Sequence, residues 1–238
     1  MADETGAEGE LRSLVRGARY VLWDFDGPIC RLFAGWPAPE IALRLARWLE
    51  TQGLHGVLTE EELRRLDPHG VVARLGLEQP GSDLVLEMEK RLTEQELQAV
   101  PRAWPTPWAD PLIRTWWAMG VRLAVTTNNS PQAVRSYLDG RSLTGCFEPH
   151  IYGRTQNMTL LKPDPYCVNR ALNAMGAAPG AALMIGDTPT DLAAATAAGV
   201  SFLGYARNEE KRNMLLAAGA RHVVGSLAPL LGMLRERG

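Results

Sequence analysis

Several residue types and patterns are scarce in this sequence of 238 residues, and each scarcity argues against a class of protein. The three cysteines, Cys30, Cys146 and Cys167, show no CxxC spacing, so we expect reduced thiols rather than a disulfide framework or a zinc site. No apolar run approaches the ~20 residues that a membrane-spanning helix needs. Basic residues form no long run, which argues against a nucleic-acid partner.

The N-terminal segment lacks the pattern of a signal peptide. Its residues read MADETGAEGELR, which is acidic and polar, whereas a signal peptide carries basic residues followed by an apolar stretch. We therefore expect a cytoplasmic protein with no membrane partner. The sequence leaves open whether that protein is a monomer or a homodimer.

Lysine is rare, because 25 residues are lysine or arginine but only Lys90, Lys162 and Lys211 are lysines. A surface that uses arginine has no general need of lysine, so each of the three is a candidate for a specific role. Hydrophobic residues make up 46% of the chain, which is enough for a large buried core.

The chain divides into segments of different pattern. We expect an irregular acidic tail over residues 1–10 and a short helix over residues 11–18. Residues 31–103 carry apolar side chains at helical spacing, interrupted by glycines, and predict a helical insertion without strands.

Three local signals predict where helices begin. Thr59 with Glu62, and Thr93 with Glu96, have the spacing of a capping box, in which the two side chains satisfy the free N–H groups of a helix start. Thr106 is followed at once by a proline, which is typical of the first helical position.

Residues 19–30 and 104–238 alternate short apolar runs with helical segments. The runs include YVLW, VRLAVT, ALMIG and SFLGY, and their alternation with helices indicates βαβ units. We therefore predict an α/β fold, with a Rossmann-like parallel sheet, helices on both of its faces and a small all-helical domain. Ligands of such sheets bind outside the carboxyl ends of the strands.

Polar side chains follow the predicted strands at those ends. They are Asp24 and Asp26 after the first strand, Thr127 and Asn128 after the second, and Asp187 and Asp191 after a later one, with Lys162 in a loop. Several carboxylates suit a hard divalent cation such as Mg²⁺, and a hydroxyl beside a lysine suits an anion. A cation and an anion that share one carboxylate indicate phosphoryl transfer.

Four motifs, DFDGP, TTN, KPDP and GDTPTD, resemble in order and spacing those of the haloacid dehalogenase superfamily, and of its phosphoglycolate-phosphatase-like subgroup. The resemblance extends from about residue 19 to the end of the chain. It implies a Mg²⁺-dependent phosphatase that hydrolyses a small phosphorylated metabolite through an aspartyl-phosphate. The implied domains are a tail and short helix (1–18), an α/β catalytic core (19–30 and 104–238) and a helical cap (31–103) that closes over the site.

The resemblance also implies a role for each acidic side chain. Asp24 would be the nucleophile, and Asp26 the general acid and then the general base. The metal would be held by the side chains of Asp24 and Asp187 and by the backbone carbonyl of Asp26. Asp191 would support the metal site from behind.

The phosphoryl group would be bound by four further positions in the same resemblance. Gly27 would let the backbone pass close to the phosphate. Thr127 and Asn128 would receive the phosphate, and Lys162 would balance charge between the nucleophile and the phosphoryl group as part of the catalytic set.

Other interpretations remain open. The aspartates of DFDGP could flank a turn, and Thr127 and Asn128 could cap a helix. A sugar-phosphate mutase shares the same core motifs, and a non-catalytic phosphate-binding protein could use the same fold. Arg31 and Arg154 could contact substrate or have a structural role.

Overall fold

A six-stranded parallel sheet lies at the centre of the protein, whose computed structural model describes residues 2–236. The strands are β1 (Tyr20–Trp23), β2 (Cys30–Arg31), β3 (Trp104–Pro105), β4 (Arg122–Thr126), β5 (Ile151–Tyr152), β6 (Ala182–Gly186), β7 (Ser201–Tyr205) and β8 (Val223–Val224). The order in the main sheet is β5-β4-β1-β6-β7-β8, and every neighbouring pair is parallel. Strands β1, β4 and β6 therefore end side by side.

Helices account for most of the remaining chain. They are α1 (Ala2–Gly17), α2 (Ala38–Thr51), α3 (Glu60–Arg65), α4 (Pro68–Glu78), α5 (Asp83–Ala99), α6 (Ala109–Ala118), α7 (Pro131–Gly140), α8 (Thr144–Phe147), α9 (Tyr166–Met175), α10 (Pro189–Ala197), α11 (Glu209–Ala217) and α12 (Ala228–Arg235). Across residues 2–236, none of them combines the length and the apolar character that crossing a membrane requires.

Helices cover both faces of the sheet, because successive side chains of a strand point to opposite faces. Val21 and Trp23 of β1 pack on one side, in a core that includes Trp116 of α6 and side chains of α1, α7 and α12. Leu22 packs on the other side, against helices α9, α10 and α11. The predicted α/β class, with its parallel sheet between two layers of helices, is confirmed.

A helical block leaves the sheet domain after β2 and returns at β3. These two short strands pair in antiparallel fashion, with Cys30 opposite Pro105 and Arg31 opposite Trp104. Helices α2 to α5 lie between them and enclose a core of their own. Met158 and Leu161, from the sheet domain, join that core, so the block rests on the loop that leads to Lys162. We call residues 31–103 the cap.

The predicted irregular tail is wrong for residues 2–10, whereas the predicted short helix over residues 11–18 is present up to Gly17 as the end of a longer helix. Helix α1 begins at Ala2 and includes residues 2–10, while residue 1 lies outside the described residues. The side chain of Val15 and those of α12 share one core cluster, so packing against the C-terminal helix holds α1 in place.

Two of the three predicted helix starts are also wrong. Thr59 and Glu62 form the predicted capping box at the start of α3. Thr93 and Glu96, however, lie inside α5, which begins after Ser82. Helix α6 begins at Ala109 rather than beside Thr106. In both cases the residue predicted to cap a helix makes a hydrogen bond to a distant part of the chain. Thr93 and Glu96 accept from Arg154, and Thr106 donates to the Gly27 carbonyl.

Candidate active site

The ends of three adjacent strands bring the polar motif residues together. Trp23 of β1 lies opposite Val125 of β4 and opposite Ile185 of β6, so Asp24 follows its strand between two neighbours whose polar residues come next. The seven side chains predicted from the strand ends and the KPDP loop all line one cavity of about 370 Å³. They are Asp24, Asp26, Thr127, Asn128, Lys162, Asp187 and Asp191.

Lys162 is the cation at the centre of this cluster. Its buried Nζ donates hydrogen bonds to Asp24 Oδ1 at 2.8 Å, to Asp191 Oδ1 at 2.5 Å and to the Thr126 carbonyl at 2.9 Å. All three donors of the ammonium group are therefore used. These contacts hold the side chain of Lys162 between the carboxylates of Asp24 and Asp191.

Asn128 holds the loop that carries Lys162. The Lys162 N–H donates to Asn128 Oδ1 at 2.8 Å, and Asn128 Nδ2 donates to the Lys162 carbonyl at 3.2 Å. Both ends of the amide are thus occupied by the backbone of one residue. The side chain of Asn128 therefore positions Lys162, which is a different use from the predicted contact with phosphate.

Thr127 is buried beside these residues. Its hydroxyl donates to Asn129 Oδ1 at 3.0 Å and accepts from the Asn129 N–H at 3.2 Å. A threonine hydroxyl can rotate to donate to another acceptor. Its place in the cavity wall suits an anion beside Asp24.

Asp26 is held at the base of the cap. Its Oδ1 accepts a hydrogen bond from the Leu32 N–H at 2.8 Å, just past the strand that leads into the cap. Burial raises the pKa of Asp26 above its ordinary value, although the hydrogen bond from Leu32 acts in the opposite direction. A carboxyl group with a raised pKa is suited to carry a proton.

Gly27 permits a close approach between two loops. Its φ of +130° is a conformation that side chains other than glycine rarely adopt. A Cβ at this position would lie 2.3 Å from Asp187 Cγ. Thr106, which was predicted to begin a helix, instead donates a hydrogen bond from its hydroxyl to the Gly27 carbonyl at 2.5 Å and so fixes the turn.

Asp191 supports the loop after β6. Its Oδ2 accepts hydrogen bonds from the Asp187 N–H and the Thr188 N–H, both at 3.0 Å, and from the Thr188 hydroxyl at 2.7 Å. Thr188 and Asp191 also form the capping box of α10. Since its Oδ1 is bound to Lys162, the carboxylate of Asp191 is fully occupied by protein donors.

Asp187 has a free carboxylate oxygen. Its buried Oδ1 has no hydrogen-bond partner among the described residues, and its Oδ2 pairs with the ammonium group of Lys211. Burial, with the charges of Asp24 and Asp191, raises the pKa of Asp187 to about 8, although Lys211 acts against that rise. The positive charge of Lys211 therefore does not offset the burial of this carboxylate and the negative charges beside it.

The carboxyl group of Asp24 also has a raised pKa. Burial, together with the charge of Asp191, raises its pKa to about 6, although Lys162 acts against the rise. Carboxylate oxygens of Asp24, Asp187 and Asp191 lie within 4.8 Å of one another. Because both oxygens of Asp191 are already bound by protein donors, a hard cation would bind to Asp24 and Asp187. It would neutralise the mutual repulsion and bind the unpartnered oxygen of Asp187.

The cavity also contains residues that the sequence analysis did not assign to it. Asp67, His69, Gly70 and Ala73, at the start of α4, form the cap side of its wall, and Lys211 lines it from α11. The rarity of lysine was the one available signal for Lys211. No local pattern distinguishes His69 from the other three histidines.

Neither arginine considered for substrate contact lines the cavity. Arg31 lies over the ring of Trp104, with its Cζ 5.1 Å from the ring centroid. Arg154 is buried and pairs with Glu96 of the cap. Both have structural contacts.

Comparison with known proteins connects this geometry to a family. The family model of the haloacid dehalogenase-like hydrolases matches residues 18–199. The phosphoglycolate phosphatase of Rhodospirillum rubrum is 37% identical over 105 residues, which are 42% of this chain and 43% of that protein. The phosphoglycolate phosphatase of Aquifex aeolicus is 27% identical over 183 residues, which are 76% of this chain and 81% of that protein.

The fold has a close counterpart among solved structures. The crystal structure of a predicted phosphatase from Clostridium acetobutylicum superposes with a TM-score of 0.68 at 18% identity, covering 90% of this chain and 96% of that one. The stretch matched in the Rhodospirillum rubrum protein, by contrast, spans less than half of that protein's length. Because the family model covers most of the chain, including the strand ends that carry Asp24, Thr127 and Asp187, the protein belongs to the haloacid dehalogenase-like hydrolases, as its four motifs predicted.

Proposed function

We propose that the protein is a Mg²⁺-dependent phosphatase that hydrolyses a small phosphorylated metabolite through an aspartyl-phosphate on Asp24. One observation carries the proposal. Asp24 Oδ1 lies 2.8 Å from Lys162 Nζ in a cavity where Asp187 offers an unpartnered carboxylate oxygen. A nucleophile, a fixed cation and a free metal ligand thus share one pocket.

Asp24 would attack the phosphorus of the substrate. Its carboxylate oxygen forms a bond to phosphorus, and the ester P–O bond breaks. With a pKa of about 6, raised mainly by burial, Asp24 is largely ionised at neutral pH and can act as a nucleophile. Lys162 keeps the attacking carboxylate in place and offsets the negative charge that gathers around it.

Asp26 would carry the proton. It donates that proton to the oxygen that leaves phosphorus and then accepts a proton from the water that attacks the aspartyl-phosphate. The second attack breaks the bond between phosphorus and the Asp24 oxygen, which releases phosphate and restores the carboxylate. The Leu32 N–H holds the Asp26 side chain for both steps.

Asp24 and Asp187, with the Asp26 backbone carbonyl, would hold Mg²⁺. The bound ion would supply charge neutralisation for the incoming phosphoryl group. Asp191 would keep Asp187 in place through the hydrogen bond from the Asp187 N–H. The pairing of Lys211 with Asp187 supports this assignment, because it shows that the carboxylate attracts a positive group.

The named relatives guide the choice of first substrate. Two relatives are phosphoglycolate phosphatases, and the cavity of about 370 Å³ suits a small phosphorylated acid. We propose phosphoglycolate as the first compound to test, followed by a panel of small phosphate esters. The chromogenic ester p-nitrophenyl phosphate serves as a general reporter.

The test is release of inorganic phosphate with Mg²⁺ and with EDTA. We expect turnover only with the metal, and we expect Asp24→Asn to lower kcat by roughly 10³-fold or more. Asp83→Asn, an exposed aspartate of the cap, is the matched control and should keep the normal rate. Mass spectrometry of acid-quenched enzyme should detect one phosphoryl group on Asp24.

Three results would contradict the proposal in different ways. A folded protein with no turnover on any ester or divalent metal would indicate a non-catalytic phosphate-binding protein. Conversion of a sugar phosphate to its isomer without release of phosphate would indicate a mutase. Normal turnover by Asp24→Asn would exclude Asp24 as the nucleophile.

A further inference from the structure

A buried ion pair joins the cap to the sheet domain beside the catalytic cavity. Glu96, on α5 of the cap, and Arg154, on the loop after β5, both have fully buried side chains. Arg154 Nη1 donates to Glu96 Oε1, and Nη2 donates to Glu96 Oε2, each at 2.9 Å. This two-pronged geometry fixes the relative orientation of the two groups.

The same carboxylate also binds the loop that follows β4. Asn129 Nδ2 donates to Glu96 Oε1, and the Ser130 N–H donates to Glu96 Oε2, each at 3.0 Å. Arg154 contributes to this loop as well, because its Nη1 donates to the Asn128 carbonyl at 3.0 Å. The segment 127–130, which we call the β4 loop, is thus held from the cap.

The chain of contacts ends at Thr127. Asn129, whose amide nitrogen binds Glu96, accepts the Thr127 hydroxyl on its Oδ1 at 3.0 Å. The amide of Asn129 is therefore oriented from one side by Glu96 and, in turn, orients the hydroxyl that faces the cavity. His69, which also lines the cavity, approaches the same Glu96 carboxylate from α4, with Nε2 3.2 Å from Oε1.

Glu96 is ionised in this setting. Burial by itself would raise the pKa of Glu96, but the charge of Arg154 and the hydrogen bonds from His69 and Arg154 outweigh burial and lower the pKa to about 2. A buried ion pair contributes little net stability compared with apolar packing, because both charges lose their hydration. The value of such a pair at a domain boundary lies in the single geometry that it allows.

We propose that Glu96 is a positioning residue, which holds the β4 loop through Asn129 and Arg154 so that the Thr127 hydroxyl and the Asn128 N–H are set to bind phosphate when the cap is docked. The inference rests on the proposed function. It makes phosphate affinity depend on a cap residue that does not line the cavity.

The affinity of the protein for inorganic phosphate is the decisive measurement. The inorganic phosphate dissociation constant can be obtained by calorimetry in Mg²⁺, and as an inhibition constant against p-nitrophenyl phosphate. Glu96→Gln keeps the size of the side chain and removes its charge. We expect this variant to raise the phosphate dissociation constant roughly tenfold, which corresponds to the loss of one hydrogen bond to a charged group.

Glu89→Gln is the matched control. Glu89 lies on the same helix, and its Oε1 accepts from Arg154 Nε at 3.3 Å, but among the described residues it makes no hydrogen bond to the β4 loop. Removing its charge should leave the phosphate dissociation constant unchanged. A tenfold rise in this control as well would show that the helix acts only as general support, and would overturn the assignment to Glu96.

Asn129→Ala provides an independent arm, including the case in which Glu96→Gln fails to fold. We expect it to weaken phosphate binding as much as Glu96→Gln does. The double variant should bind phosphate no more weakly than the single variant with the lower affinity. The reason is that both changes break the same connection between Glu96 and Thr127. Unchanged phosphate affinity in Asn129→Ala, or additive losses in the double variant, would overturn the inference.

The inference and the proposed function fail in different ways. A wild-type protein that binds no phosphate and hydrolyses no ester would refute the proposed function. A wild-type protein that binds phosphate, with the same dissociation constant in Glu96→Gln but a lower urea midpoint, would leave the function intact. That second result would reduce Glu96 to a structural contact between domains.

Discussion

Replacement of Gly27 by alanine tests the claim that the first loop and the Asp187 loop meet too closely for any side chain. The new Cβ would lie 2.3 Å from both Cγ and Oδ2 of Asp187, and 2.8 Å from Oδ1. Normal carbon contacts are roughly 3.5 Å or more, so the overlap exceeds one ångström. Asp187 is buried and its N–H is bound to Asp191, so it has little room to retreat.

The expected cost has two parts. A sparsely populated backbone conformation, here φ +130°, costs about 1–3 kcal/mol when a side chain is added. The steric overlap adds about 1–3 kcal/mol, as overpacking of a filled site usually does. We therefore expect the free energy of unfolding to fall by roughly 2–6 kcal/mol. The displaced Asp187 carboxylate should also weaken Mg²⁺ binding.

Urea unfolding followed by circular dichroism, together with calorimetric titration of Mg²⁺, measures both effects. Gly176→Ala is the matched control, since Gly176 has φ +60° but a Cβ there would meet no atom within 4 Å. That control should lose only the conformational part, about 1–2 kcal/mol. If Gly27→Ala lost no more stability than Gly176→Ala and bound Mg²⁺ normally, the close approach would not matter.

Three further outcomes follow from the contacts. Lys162→Met should lower the free energy of unfolding by about 3–5 kcal/mol at pH 8, because it leaves Asp24 and Asp191 buried without their cation. The loss should be smaller at pH 5, since burial already raises the pKa of Asp24 to about 6 and loss of the ammonium raises it further, so the carboxyl takes up a proton. The difference in free energy of unfolding between wild type and Glu96→Gln should decline as pH falls from about 4.5 to about 2, because the pKa of Glu96 in the folded protein is lowered to about 2. Over this pH range the decline should amount to roughly 3 kcal/mol. Asn128→Ala should cost about 1–3 kcal/mol, since it removes two hydrogen bonds to the Lys162 backbone.

Urea unfolding at several pH values checks all three, and each has a contrary result. A Lys162→Met loss that grew on acidification would show that Asp24 does not titrate as described. A Glu96→Gln difference that stayed constant down to pH 2 would mean that Glu96 is not ionised in the folded protein. An Asn128→Ala variant as stable as wild type would show that the Lys162 loop is held by other contacts.

Local patterns in the sequence were sufficient for the sheet and for most of the candidate site. Alternating apolar runs and helical segments are set by near neighbours along the chain, so they predicted the α/β fold. Asp24, Thr127 and Asp187 directly follow strands, and adjacent parallel strands place such residues at one edge. The capping box of Thr59 and Glu62 is local as well, and it formed as predicted.

Only the tertiary structure decided how Glu96 and Thr93 are used. Their spacing is that of a capping box, but α5 continues through both residues. The partner of Glu96 is Arg154, 58 residues away, and a pairing of that separation leaves no mark in a local pattern. His69 and Lys211 reach the cavity through the same kind of long-range packing. The sequence by itself determined the strands and the polar residues at their ends, because both depend on neighbours along the chain. Only the tertiary structure decided the raised pKa values of Asp24 and Asp187 and the contact between the cap and the β4 loop. These depend on which distant groups are packed together away from water.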